Sequence, residues 1–68
     1  MDEEAFNMST RKFLKKLGVT SQREIELGIR ERIDAGELQG DETLEVEAVV
    51  RVRGLPNDIV VPGRITLS

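Results

Sequence analysis

Leu17-Gly18-Val19-Thr20-Ser21-Gln22-Arg23-Glu24 is the stretch on which the fold turns. Glycine after an apolar-periodic run reads as a helix stop, because it adopts the left-handed conformation of a C-terminal cap without steric cost. Ser21-Gln22-Arg23-Glu24 reads as a start. The serine hydroxyl takes an orphan amide and the glutamate three residues on reaches back to close a capping box. Together they predict two helices, about 2–17 and about 21–35, separated by a tight turn.

Upstream, Asp2 can cap the first helix and Glu3 and Glu4 suit its positive end, while Lys12, Lys15 and Lys16 suit the other end. At 100° per residue, Phe6, Thr10, Phe13, Leu14 and Leu17 share one stripe. Downstream, Ile25, Ile29 and Ile33 form the second stripe, with Gly28 at its edge and Gly36 as the stop. Glu26–Arg30 and Arg30–Asp34 are spaced as exposed i,i+4 pairs.

Beyond the loop of residues 37–42 the period changes to two. Leu44, Val46, Ala48, Val50 and Val52 alternate with Glu45, Glu47, Val49, Arg51 and Arg53, which predicts a half-buried strand over about 43–53. Gly54-Leu55-Pro56-Asn57-Asp58 supplies turn residues. A second strand over about 58–67 places Ile59, Val61, Ile65 and Leu67 on one face and Val60, Arg64 and Thr66 on the other. Pro62 cannot donate a ladder hydrogen bond, so this strand is expected to be an edge or to carry a bulge at Pro62-Gly63. The expected architecture is α+β: a single domain over 1–68, with two helices on an antiparallel hairpin (ααββ), half of a winged helix in outline.

Composition narrows the chemistry. With 68 residues, only a thin core is available. Cysteine and histidine are both absent, which excludes disulfides, thiolate metal sites, a cysteine nucleophile and the commonest general base near neutral pH. The carboxylates Glu24, Glu26, Glu31 and Asp34 lie among arginines on an exposed face, with no nucleophile–base pair, phosphate loop or metal-ligand spacing. No enzyme, cofactor or metal is expected. No apolar run approaches the about 20 residues of a membrane helix, and the acidic start is the wrong sign for a targeting peptide. A cytoplasmic location is the expectation.

Two kinds of partner then compete. The helix–Gly18-Val19-Thr20–helix–hairpin order suggests a winged-helix nucleic-acid binder, with Ser21, Gln22 and Arg23 in the major groove and Arg51, Arg53 or Arg64 on phosphates. Against it, helix-turn-helix repressors place a small residue where Leu14 stands and apolar ones where Glu24 stands. The acids of the second helix also repel phosphate, and the net charge is −3. The other reading is a protein-interaction or self-associating module, a homodimer through the hairpin, because a two-stranded sheet has open edges and outward-pointing Val49 and Val60. Met8, Arg11, Lys12 and Lys15 on the first helix are a secondary docking face, as is Leu27 on the second. The plain account of those cations is a solvated helix end, and of Leu27 an ordinary exposed leucine.

The run Met1-Asp2-Glu3-Glu4-Ala5-Phe6-Asn7-Met8-Ser9, with Arg11-Lys12-Phe13-Leu14-Lys15-Lys16 and Gly18-Val19-Thr20-Ser21-Gln22-Arg23-Glu24-Ile25, resembles a family of very short bacterial proteins of unknown function. Gly40-Asp41-Glu42-Thr43-Leu44 fits the same family. The resemblance implies a stand-alone small bacterial protein and brings no activity or functional residue with it.

Overall fold

The computed structural model describes residues 1–68, in two units, Met1–Glu37 and Leu38–Ser68. The first is one helix. The helix α1 runs without interruption over Glu3–Asp34, 32 residues and about 48 Å long. Asp2 caps it in extended conformation, its side chain accepting from the Ala5 amide at 3.0 Å, with Glu3 and Glu4 in the first turn as expected. At the other end the Gly36 amide donates to Ile33 O and the Glu37 amide to Arg32 O, with Gly36 at φ 78°. That is the paired bonding of a Schellman cap, which satisfies two carbonyls and needs the left-handed residue. Glu26–Arg30 forms as an exposed pair at 3.8 Å.

The two-helix expectation is corrected at Gly18. Breaking there would leave four carbonyls and four amides without helical partners, of which the Ser21–Glu24 box recovers only two. Continuing the helix keeps every bond across Gly18-Val19-Thr20, all three of which are helical. The penalty is about 1 kcal/mol each for Gly18 and Gly28 relative to alanine. A β-carbon added at either would meet nothing within 4 Å. The glycines therefore serve no close approach inside the helix.

Continuity also changes the meaning of the stripes. On a single helix at 100° per residue, the Phe6–Leu17 stripe and the Ile25–Ile33 stripe are centred about 120° apart. The apolar band winds around α1 where two separate helices would each have kept a fixed face. Leu17, Ser21, Gly28 and Ile29 are its half-buried residues, and none is fully buried.

The second unit is an antiparallel hairpin of β1, Thr43–Val50, and β2, Ile59–Thr66. The register pairs Leu44 with Ile65, Val46 with Gly63, Ala48 with Val61 and Val50 with Ile59 on one face. Glu45 with Arg64, Glu47 with Pro62 and Val49 with Val60 alternate on the other, so the face assignment from period two holds. Both strands are shorter than expected. Arg51, Val52 and Arg53 leave the ladder for the connection, where Leu55 N donates to Val52 O and Gly54 takes φ 104°.

The register is unbroken through Pro62, so no bulge forms. In a two-stranded antiparallel ladder alternate residues turn their amides away from the partner strand, and a proline fits such a position without loss. A β-carbon at Gly63 would sit 3.4 Å from Val46 Cγ2, so the cross-strand valine fills the space beside the glycine. Leu44, Val46, Ile65 and Leu67 are half-buried, but Ile59 and Val61 are exposed. No residue of either unit is buried.

Candidate interaction surfaces

On α1, Met8, Arg11, Lys12 and Lys15 line one open groove together with Ala5 and Ser9. The helix places them by spacings of three and four, which aligns the aliphatic stems of the cations beside Met8. Leu27 lies on another groove with Val19, Gln22, Arg23, Glu26 and Arg30. Gln22 Nε2 donates to Glu26 Oε2 at 3.0 Å, so this flank carries its own polar network.

Val49 and Val60, expected at a partner contact, are direct cross-strand neighbours. They are 51% and 52% exposed. Valine pairs of this kind add modestly to a hairpin. On the same face, Arg64 approaches Glu45 at 4.0 Å, and a groove runs between Glu45, Val46, Glu47, Pro62, Gly63 and Arg64. The valine pair is therefore an apolar spot beside a charged cross-strand pair.

The turn expected to carry the nucleic-acid contacts does not form. Ser21, Gln22 and Arg23 lie in the interior of a continuous helix. Their backbone amides are committed to the helix, and no turn precedes them to present a helix N-terminus to a groove. Arg51 Nε and Nη2 donate to Asp58 Oδ1 and Oδ2 at 3.2 and 3.3 Å, bridging the two ends of the strand connection. Arg64 faces Glu45, and Arg53 is exposed in the connection. With one continuous helix there is no helix-turn-helix.

One polar device escaped the sequence reading. Glu42 accepts from the Gln39 amide through both oxygens, at 3.1 and 2.9 Å, and from the Gly40 amide at 2.9 Å. Gly40 turns the chain at φ 101°, and Glu42 O accepts from the Leu67 amide at 2.9 Å. A carboxylate two and three residues past those amides was the available signal. These bonds, that from Gln39 first and that from Gly40 next, hold the Glu42 carboxyl below its ordinary value of 4.5.

A folded value below the unfolded one gives stability that is present above pH 4.5 and is lost as pH falls through the folded value. The Gln39 and Gly40 amide resonances should therefore shift together on acidification below pH 4.5. Glu42→Gln should abolish that shift while leaving the β1–β2 register in place. Independent titration of the two amides would count against a shared carboxylate.

These features define a small α+β protein built from one long helix and one hairpin, with its apolar groups largely on open surface. No helix is long and apolar enough to cross a membrane. The chain belongs to a family of unknown function (DUF6494), whose pattern matches residues 1–68. No curated protein and no solved structure matches it.

Proposed function

We propose that this chain is a non-catalytic interaction module that acquires its core by self-association. The observation that carries the reading is that no residue of either unit is buried. Phe6, Phe13, Leu14, Ile25, Val49, Val60 and Val61 all stand at least two-fifths exposed. Isolated helices depend mainly on packing of an apolar face, and a two-stranded hairpin is marginal alone. Burying a side chain of this size is worth about 1.5–3 kcal/mol, so a handful of them is comparable to the whole stability of a small domain.

The basic groove of α1 around Met8 and the Val49–Val60 pair are the supporting surfaces. In this reading the protein works in a soluble cytoplasmic assembly.

Sedimentation equilibrium across low to high micromolar concentrations tests this. We expect a dimer or larger species whose population rises with concentration, together with a rise in helical circular dichroism. A chain that is monomeric throughout that range and still fully helical would overturn it.

A further inference from the structure

We infer that Leu14, Leu17, Ser21, Ile25 and Gly28 form the face on which α1 of a second copy of this chain lies antiparallel, centred on Ser21. The inference rests on the association reading above and specifies its partner and geometry. At 100° per residue these five positions occupy one arc of about 80°, with Ser21 in its middle. Three of them, Leu17, Ser21 and Gly28, are among the half-buried residues of the helix.

The face is self-complementary under reversal. Turning the chain about Ser21 carries Leu17 onto Ile25 and Leu14 onto Gly28. A two-fold contact requires that relation, since each residue meets its counterpart twice. It sets a large residue against a large one nearer the axis and Leu14 against a glycine further out. The space over Gly28 is empty within 4 Å, which leaves room for a leucine knob. Ser21 on the axis is small enough to allow close approach.

Charge selects the direction. In a parallel, in-register pair Arg11, Lys12, Lys15 and Lys16 would lie level with their own copies, as would Asp2, Glu3 and Glu4. In the antiparallel pair the basic run lies level with residues 26–31, which hold Glu26 and Glu31 against Arg30. These charges lie outside the contact arc and act along the pair as a whole, favouring the antiparallel direction.

The chain has no cysteine, so single introduced thiols report the geometry directly. Ser21→Cys should form an intermolecular disulfide on mild oxidation. Leu17→Cys and Ile25→Cys should each fail to do so alone and should cross-link when the two variants are mixed. Facing thiols on the axis fall within disulfide reach, whereas Leu17 and its own copy are eight residues apart along the pair.

Homotypic disulfides at Leu17→Cys and Ile25→Cys would show a parallel pair and overturn the inference while leaving self-association standing. A dimer that cross-links at none of these positions would do the same. A wild-type chain monomeric at high micromolar concentration would remove both.

Discussion

Gln22→Pro should cost the helix about 3 kcal/mol or more and split its circular dichroism signal. In α1 it is the twentieth of 32 residues, deep in the interior. Proline there deletes the amide that donates to the Gly18 carbonyl and drives its ring into that same carbonyl. It also removes the Gln22–Glu26 side-chain bond. The substitution separates two structures that the sequence leaves close in energy. Were Ser21 a helix cap, Gln22 would be the first helical residue, where proline is welcome and would stabilise the second helix. Loss of roughly half the helical signal, with the amide shifts of residues 18–26 collapsing toward coil values, is the expected result. An unchanged or higher thermal midpoint would establish a break at Gly18.

Leu17→Glu should remove self-association. The substitution keeps helix propensity nearly constant, so the free helix is not the variable. In a two-fold contact Leu17 is buried twice, once from each copy, and its loss is felt twice. At about 1.5–3 kcal/mol for each leucine, the dimer loses about 3–6 kcal/mol, or two to four orders of magnitude in dissociation constant. Leu27→Glu is the control. Leu27 is 51% exposed and lies about 120° from the centre of the proposed face, so sedimentation should show little change. Equal effects from the two substitutions would mean that hydrophobicity matters but the face does not.

The sequence was most legible where one residue type has one local job. Asp2 at the start of α1, Gly36 at its end and the alternation through Thr43–Val50 each act within a few residues, and the structure follows them. Gly18 reads locally as a stop but is helical, because its role depends on something outside its neighbourhood. A glycine followed by a serine cap becomes a turn only if the helices on either side gain burial by folding together. The spacing Leu14, Leu17, Ser21, Ile25, Gly28 runs across Gly18 in steps of three and four, and that continuity was the sign of one helix.

The surface residues fared differently. Alternation alone puts Val49 and Val60 on one face, and the register makes them partners. Arg51 and Arg64 read as free cations because their carboxylate neighbours, Asp58 and Glu45, are brought close only by strand pairing. The Glu42 clamp was invisible for a similar reason. It depends on Gly40 adopting a positive φ, which a single glycine in a polar loop does not announce.

Pro62 has a consequence for how far this protein can polymerise. A hairpin with two open edges can in principle add strands on both sides without end, which is how ordered fibrils grow. With Pro62 paired in register to Glu47, its nitrogen is turned outward, and the outer edge of β2 lacks a donor in mid-strand. Sheet growth is then available only along β1. Two copies joined edge to edge through β1 would present β2 on both outer sides, each carrying its proline, and propagation would stop at four strands. One imino acid therefore limits growth of the sheet on the β2 side.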